Sequence, residues 1–429
     1  MKTKMAALFS VYFILTLMDP FSFDIPFKIM GVGPNLQALY ILFIVLFVHS
    51  YKYVSFVIKE ARIFKVLLVW LLWCTFEIFR GALSYSLTIS FTEAEYYFMG
   101  PLFAIITYIL LKHDFEVKKF FTSFLKPALW SVLVVFVFAV IFYVSTREYV
   151  LISLLPIISP SHFKNVDWTY DTDWIRFLNA YNASFLALVT CIFVILRYRF
   201  HYKQMINIFT LVLSFTAIAV GQVRTVWGVF GVIILISYGA IIFHSRIGKN
   251  IKILVSYVGF IMISVFITVY LNNEGIIDLS SSIKPFVAGF DQTHTFRWRE
   301  IIWYRTLRNW QASPILGLGY GGYFPGPMGE TVHAPHSSYI SVLAKQGIIG
   351  IVFMGISFIS LLFHFTSNYF KGKGENKQIG GIIGILTVVS MLVFAYSYEF
   401  TILQWIILGL AVFLTNSKIE GRIFATENA

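Results

Sequence analysis

Long apolar stretches alternate with short polar segments along almost the whole chain. A stretch of about 17–25 apolar residues has the length that an α-helix needs to cross a bilayer. Such stretches lie at 6–23, 34–50, 63–80, 96–111, 127–145, 180–196, 204–221, 225–243, 251–271, 338–363, 379–396 and 398–414. Lipid gives no hydrogen-bond partner to an open strand edge, so the spanning elements are predicted to be helices. The pattern therefore predicts an all-α, polytopic integral membrane protein with about twelve transmembrane helices.

Lysine and arginine are concentrated in every second loop of this arrangement. The basic loops lie at 52–62, 112–126, 197–203, 246–252 and 371–377, while the short loops between them hold few Lys and Arg. Basic loops stay in the cytoplasm under the positive-inside rule, so both termini are predicted to be cytoplasmic. An even number of spans agrees with this topology. Membrane lipids with anionic head groups are the partners that such loops attract.

The composition agrees with a membrane protein and excludes several other classes. Of 429 residues, 58% are hydrophobic, 18% are aromatic and only 13% are charged, with a net charge of +12. A soluble protein carries about 25% charged residues, so this chain has too few charges to cover a water-facing surface. The basic surplus follows the loops rather than a soluble basic domain, so no nucleic-acid partner is predicted. Cys74 and Cys191 lie in separate spans and are expected to be packed thiols.

A single transmembrane domain is predicted over residues 1–417. Lys2 and Lys4 precede the first apolar stretch as in a signal peptide, but no small-x-small cleavage site follows, so an uncleaved first span is expected. The cytoplasmic tail 418–429 contains Ile419-Glu-Gly-Arg, which matches a protease site often added to expressed proteins.

Unusual chemistry is concentrated in two long outer loops, 146–179 and 272–337. Loops of such length in a compact protein are usually functional or disordered, and the richness in Trp, Tyr, Arg and His favours function. Residues 296–311 of the second loop hold four arginines and fit a helix. Helical spacing places Arg297, Ile301, Tyr304, Arg305 and Arg308 on one side and Arg299, Trp303 and Trp310 on the other.

The two sides of this helix are expected to face different surroundings. The Trp side suits the membrane interface, where Arg299 can extend its charge towards water. The other side presents three guanidinium groups, which suit phosphate because they donate paired hydrogen bonds and keep their charge. An interfacial helix whose arginines touch lipid phosphates or loop carboxylates is the open alternative.

Two motif matches in the outer loops are expected to be structural. Gly317-Leu-Gly-Tyr-Gly-Gly322 fits G-x-G-x-x-G literally, but no strand–turn–helix pattern surrounds it, so we predict a tight loop rather than a nucleotide site. Asp171-Thr-Asp173 matches the D-x-D of metal-dependent sugar-nucleotide transferases without the mixed fold that those enzymes have. No metal site is predicted.

His336 is the main candidate for proton transfer. Pro335 suits the first turn of a helix, which places His336 at the outer N-terminus of the tenth span. Tyr339, Gly347 and Gly350 follow on the same side, and the two glycines are expected to allow a close helix–helix approach. His336 is then expected to point into the bundle near the outer interface. A histidine that only donates a structural hydrogen bond is the alternative.

Three further charged residues lie in or near predicted spans. Arg224 occupies a tight outer turn between the seventh and eighth spans. It either anchors the helix at the interface or points into a polar cavity, since charge at membrane depth is costly and usually functional. Arg80, at the outer end of the third span, is a weaker example of the same kind. Lys345 lies about two helical turns below His336.

These features together resemble the O-antigen ligase/polymerase superfamily. The resemblance rests on the spans, the long outer loop before the tenth span, the Arg-rich helix, P-x-x-G-x-G from Pro314, and H-S-x-Y from His336 with a later G-x-x-G. It is most specific over about residues 180–363. It implies a GT-C-like glycosyltransferase without a cofactor, which moves glycans from undecaprenyl diphosphate on the periplasmic side of the bacterial inner membrane. Ser337 and Lys345-Gln346 depart from the usual Asn and acidic residue, which bears on acceptor specificity.

The resemblance also implies roles for individual residues. Arg224 and Arg297 are implied to hold the donor diphosphate, and His336 is implied to be catalytic. Arg305 and Arg308 are assisting candidates, and Arg80, His333 and Tyr339 are candidates for support. The chemistry agrees, because a lipid diphosphate leaves more readily when guanidinium groups stabilise its charge, and an acceptor hydroxyl needs a base such as histidine. We therefore predict metal-independent, inverting glycosyl transfer.

The predicted reaction is polymerisation of an O-antigen, capsule or exopolysaccharide. Donor and acceptor are both expected to be undecaprenyl-diphosphate-linked oligosaccharides, since two sizeable outer loops suit two lipid-linked glycans. A chain-length regulator is a candidate protein partner. An O-antigen ligase, which transfers the glycan to the lipid A core, is the first alternative. A lipid-linked oligosaccharide flippase is a second alternative from another class, although no half-to-half similarity supports it.

Overall fold

The computed structural model describes residues 34–113, 116–146, 178, 180–202, 206–220, 224–242, 266, 269, 270, 273, 294–322, 324–325, 331–332 and 335–416. The predicted spans at 6–23 and, almost entirely, 251–271 lie outside these residues, as do Asp171-Thr-Asp173, His333 and the tail. The side chains of Arg224 and Arg297 also lie outside the description, although their backbones are helical.

The described residues are almost all helical, which confirms the all-α prediction. The helices are α1 (Pro34–Glu60), α2 (Ile63–Ser84), α3 (Leu87–His113), α4 (Val117–Phe120), a π-helical turn (Phe121–Leu125), α5 (Lys126–Thr146), α6 (Ala180–Tyr198), α7 (Ile208–Val220), α8 (Arg224–Ile242), α9 (His294–Trp310), α10 (Ser338–Lys371), α11 (Glu375–Phe394) and α12 (Ile402–Asn416). Two short strands, β1 (Phe324–Pro325) and β2 (Thr331–Val332), pair antiparallel with Phe324 opposite Val332.

Within the described ranges, six helical segments are long and apolar enough to cross a membrane. They are Ile63–Ser84, Val117–Phe138, Ala180–Tyr198, Thr225–Ile242, Ser338–Lys371 and Glu375–Phe394. The pair Leu87–Glu95 and Tyr97–His113, bent by 56°, makes a seventh if it counts as one span. α7 and α12 are apolar but shorter. The protein is therefore a helical membrane protein, while the total of about twelve spans stays a prediction.

The chain divides into two compact units. The first comprises 1–49, 113–284 and 420–429. Here α6 packs against α5, α7 and α8, and most of its side chains are buried. This central position agrees with the near-continuous apolar sequence of α6, since a helix that is hydrophobic all round is buried on all sides. The prediction of a single domain over 1–417 stays a prediction.

The second unit comprises 50–112 and 285–419 and contains His336. α10 packs against α2, α9 and α11, and α11 packs against α12. Its core is a cluster of large aromatic rings, with Trp70 lying 6.1–6.3 Å from the rings of Phe358, Phe400 and Trp405. Such rings bury large apolar areas in tilted and edge-to-face contacts, which makes this unit a rigid support for the residues at its ends.

α10 is interrupted at Gly347, whose backbone is non-helical at φ 69° and ψ −167°. Residues 348–371 rise about 36 Å, more than the about 30 Å of bilayer hydrocarbon, so this part alone can span. The expected helix–helix approach at Gly347 is wrong. A Cβ there would overlap the carbonyl oxygen of Ile315, so Gly347 admits the backbone of a loop instead. The missing side chain of Gly350 faces Gln346 of the same helix.

Candidate functional site

The segment Ser313–Gly322, here called the glycine loop, occupies the break in α10. Its amides at Leu318 and Gly319 donate to the carbonyls of Ala344 and Lys345 at 2.8 and 2.9 Å. The amide of Ile348, beyond the break, donates to Pro314 at 3.0 Å. The loop glycines 317, 319 and 321 all have positive φ. The tight-loop prediction is confirmed, and these bonds use the polar groups that the helix break exposes.

Two ion pairs hold the glycine loop at its two ends. Arg80 pairs with buried Glu77 at 2.8 Å and donates to the carbonyls of Leu316 and Gly317 at 2.8 and 2.9 Å. The charge of Arg80 is therefore directed to the loop backbone, which gives this support candidate a structural contact. At the other end Lys345, whose partner the sequence left open, pairs with Glu93 at 2.8 Å.

A buried polar network lies beneath the loop. The amide of Gln346 donates to the hydroxyl of Tyr320 at 2.5 Å, and its carbonyl oxygen accepts from Trp70 at 3.2 Å. Gln346 and Tyr320 are fully buried. Burial raises the pKa of Tyr320 well above its ordinary value, so its hydroxyl stays protonated. Lys345 and Gln346 stand where the family pattern usually has an acidic residue. Here Lys345 holds the glycine loop, and Gln346 bonds to buried side chains of the core.

His336 lies before α10 rather than in its first turn. The helix begins at Ser338, and Ser337 is its N-cap residue, so the prediction that Pro335 opens the helix is wrong. His336 has a left-handed backbone with φ 51°, which is uncommon for a residue other than glycine. Strained backbone of this kind persists only where the surroundings hold it, and it is concentrated at functional sites.

Both neighbours of His336 are fixed by hydrogen bonds, which explains how the strained backbone is held. On one side, the indole of Trp303 donates to the carbonyl of Pro335 at 2.7 Å. On the other side, the amide of Ser338 donates to Ala395 at 2.9 Å, and its hydroxyl donates to Tyr398 at 3.0 Å. The hydroxyl of Ser337 donates to Ala395 at 3.4 Å. Ser337, which replaces the usual Asn, is therefore directed into the fold.

Arg299 is the charged residue that the structure brings to His336. Its guanidinium lies 5.3 Å from the ring centroid of Tyr398, and its buried Nε has no hydrogen-bond partner among the described residues. Burial and the charge of Arg299 together lower the pKa of His336 to about 4, with burial the larger cause. The imidazole is therefore neutral at pH 7 and able to accept a proton.

The predicted orientation of α9 is wrong. Trp303 packs on the ring of Tyr396 at 5.5 Å, and Ile302 and Thr306 are fully buried, so the Trp side faces protein rather than lipid. Tyr304, on the opposite side, is 68% exposed. The indole N–H explains the error, because a Trp side chain that anchors in the interface and one that binds a protein carbonyl look identical in sequence.

The other predicted site residues lie in different places. Arg305 is half-buried and Arg308 is exposed, both in the last turns of α9. Arg297 belongs to the first turn of α9, and Arg224 is the first residue of α8 in the other unit. The hydroxyl of Tyr339 donates to Leu392 at 2.5 Å and so ties α10 to α11. Among the described residues, no three His, Cys, Asp or Glu side chains cluster to hold a metal.

Fold and site together define a helical membrane protein in which the charge of a guanidinium group acts on a neutral imidazole at one end of a helical unit. A family model described as O-Antigen ligase matches residues 209–355. This range includes Arg224, the whole of α9, the glycine loop and His336, and it confirms the resemblance to the O-antigen ligase/polymerase superfamily. No curated protein matches the chain.

Proposed function

We propose that this protein is a polysaccharide polymerase that joins undecaprenyl-diphosphate-linked repeat units on the periplasmic face of the bacterial inner membrane. The observation that carries the proposal is the pairing of neutral His336 with Arg299 within a stretch that matches the O-Antigen ligase model. A base and a fixed positive charge are the two groups that transfer from a lipid diphosphate requires.

His336 acts as the general base in this proposal. The acceptor hydroxyl gives its proton to the imidazole while its oxygen bonds to the anomeric carbon of the donor. The bond between that carbon and the diphosphate oxygen breaks, and the lipid diphosphate leaves with the electron pair. Attack from the side opposite to the leaving group inverts the anomeric centre. A pKa of about 4 keeps the imidazole free of a proton before the reaction starts.

The guanidinium groups stabilise the departing diphosphate. By the family resemblance, Arg224 and Arg297 hold the donor, and Arg305 and Arg308 assist; Arg299 is added to this proposed set because its charge acts on His336. The negative diphosphate offsets the charge of Arg299, so donor binding raises the basicity of His336 when the acceptor hydroxyl has to be deprotonated. These steps need no metal ion, because the arginines supply the positive charge.

The predicted topology supports an active site on the outer side. His336, Arg80 and Thr401 lie at one end of their unit, and the connection Gly372–Gly374 with its basic neighbours lies at the other. Basic connections stay in the cytoplasm, so the His336 end faces the periplasm. A transferase there has no nucleotide sugars available, which favours a lipid-linked donor.

Two alternatives remain for the test. An O-antigen ligase would use the same base and the same arginines with a lipid A core as acceptor, and both activities share the family motif. A flippase would move the lipid-linked glycan without breaking a bond. The Arg299–His336 pair favours bond-forming chemistry, since transport needs no general base.

The test uses the purified protein in detergent with an undecaprenyl-diphosphate-linked repeat unit. We expect unmodified protein to consume the donor and release undecaprenyl diphosphate, and His336→Gln to lower kcat at least about 100-fold, the usual contribution of a general base. Near-normal transfer by His336→Gln, with loss of transfer in Arg297→Ala, would move the base to another residue such as Glu399. A donor that is never consumed in detergent favours the flippase.

Deletion in the native host separates polymerase from ligase. Loss of the lipopolysaccharide ladder down to one repeat on the core supports the polymerase. A bare core with accumulated lipid-linked polymer supports the ligase. An unchanged ladder with loss of capsule or exopolysaccharide assigns the polymerase to those polymers.

A further inference from the structure

The glycine loop connects the two elements that carry the candidate site. α9, with Arg299, leads directly into the loop, and the loop leads through β1 and β2 to His336. The Arg299–His336 arrangement therefore depends on where the loop lies relative to α10. A displacement of about 1 Å between catalytic groups can lower a rate about 100-fold, so the position of this loop matters for any chemistry at His336.

Glu93 and Lys345 fix the end of the loop that leads to His336. Their side chains lie 2.8 Å apart and are 9% and 2% exposed. The same Glu93 oxygen accepts the amide of Gly321 at 2.7 Å, and the ammonium of Lys345 donates to the carbonyl of Gly322. One buried pair thus joins α3, the loop and the outer segment of α10 through directional bonds.

Stability alone does not account for this pair. Moving two charges out of water costs several kcal/mol per ion, and replacing a buried pair with neutral side chains of similar volume is often neutral or stabilising. The value of the pair lies in its geometry, because charge-assisted hydrogen bonds are short and strongly directional. Arg80 and Glu77 hold the opposite end of the loop, but Arg80 is 27% exposed and bonds residues on the α9 side.

We propose that Glu93 and Lys345 are positioning residues, which hold the glycine loop in the break of α10 so that Arg299 and His336 keep the arrangement needed for glycan transfer. The effect on catalysis rests on the proposed function. The effect on the loop does not, and the test measures each of them separately.

The main variant is the double substitution E93Q/K345M, which removes both charges and the bonds that Lys345 makes to Glu93 and Gly322, while keeping the side-chain volumes close to those of the parent. Loop release is followed through Ser90→Cys. Ser90 is fully buried and its hydroxyl donates to Tyr320 at 2.9 Å, so a cysteine there is covered while the loop is in place. Its reaction with a soluble maleimide is read by mass spectrometry, which separates it from buried Cys74 and Cys191.

We expect E93Q/K345M to label at least tenfold faster than the parent and to lose at least tenfold in kcat per folded molecule. The KM for the donor should change less than threefold, because other arginines still bind it. A purely structural role would lower the yield of folded protein and leave kcat unchanged. The matched control is E60Q/K112M, which removes an ion pair in the same unit, with side chains 30% and 24% exposed, and should leave labelling and kcat at parent values.

Each result decides the proposal. Parent-like labelling or parent-like kcat in E93Q/K345M overturns it. If the double variant does not fold, Glu93→Gln replaces it, because the amide keeps an acceptor for Gly321 and lacks only the charge; it should change labelling and kcat in the same direction. If the parent itself shows no transfer, the proposed function fails, and labelling alone then decides: faster labelling supports the role of the pair in holding the loop, and unchanged labelling overturns it.

Discussion

Replacing Arg299 by glutamine should move the acidic limb of the pH profile of glycan transfer to higher pH. The guanidinium of Arg299 disfavours a second positive charge nearby, and this is one of the two causes that lower the pKa of His336 to about 4. Arg299→Gln removes the charge and leaves burial in place. The imidazole then takes up a proton at a higher pH, and the base is lost earlier as the solution is acidified.

The size of the shift is bounded by the structure. The interval between the ordinary value of 6.5 and about 4 corresponds to about 3 kcal/mol against protonation, at 1.36 kcal/mol per pH unit. Burial is the larger of the two causes, so Arg299→Gln should move the limb upward by less than half of that interval. About one molecule in a thousand of the unmodified enzyme carries a protonated His336 at pH 7.

The assay is the pH dependence of kcat/KM, which reports the ionisations of the free enzyme. For the unmodified enzyme the value should stay level as pH falls from 7 to 5 and decrease only near pH 4. Arg299→Lys is the control, since it keeps the charge and should keep the limb even where its geometry lowers the rate. An unmodified enzyme whose activity is lost near pH 6.5, or an Arg299→Gln limb that does not move, would refute the assignment of His336 as a base beside Arg299.

Three further predictions concern the surroundings of the site. Gly347→Ala should lower the free energy of unfolding by about 1–3 kcal/mol, because the backbone of Gly347 lies in a region that only glycine adopts readily. Gly355→Ala in the same helix is the control: nothing lies within 4 Å of the added Cβ, so the apparent Tm should stay equal or rise. Trp303→Phe should lower stability by about 1–3 kcal/mol, measured by thermal melts, and also kcat, because the carbonyl of Pro335 loses its donor. A chelator should leave donor consumption unchanged, and restoration of lost activity by a divalent cation would contradict metal-independent transfer.

Helix positions followed from the sequence because hydrophobic length is a strong signal. Helices occupy most of each predicted segment that the structure describes, although α12 begins at Ile402 rather than at residue 398, and the all-α class is confirmed. The break at Gly347 was not predictable in the same way. A glycine inside an apolar helix equally suits a close helix contact, and only the position of Ile315, distant in sequence, distinguishes the two.

The candidate site was predicted in part. The sequence indicated His336 and the Arg-rich helix, but it placed Arg299 and Trp303 towards lipid. Helical periodicity separates two sides of α9 without saying which side meets protein. In water-soluble proteins the apolar side is the buried one, but at a membrane interface both sides have apolar neighbours. What identifies the buried side is the hydrogen bond from the Trp303 indole to the carbonyl of Pro335. These two residues are far apart in the chain, so helical periodicity within α9 does not reveal the contact.

The charges on the His336 end of the second unit fall into two groups with different roles. Arg80 and Lys345 are each paired with a carboxylate and bonded to backbone carbonyls of the glycine loop, so their charge is already satisfied. Arg299 differs, since its neighbours are an aromatic ring and a neutral imidazole. A half-buried guanidinium that has no carboxylate within 4 Å among the described residues is costly to maintain, and an anionic substrate would offset that cost. This contrast, rather than the number of arginines, favours Arg299 as the contact for a diphosphate.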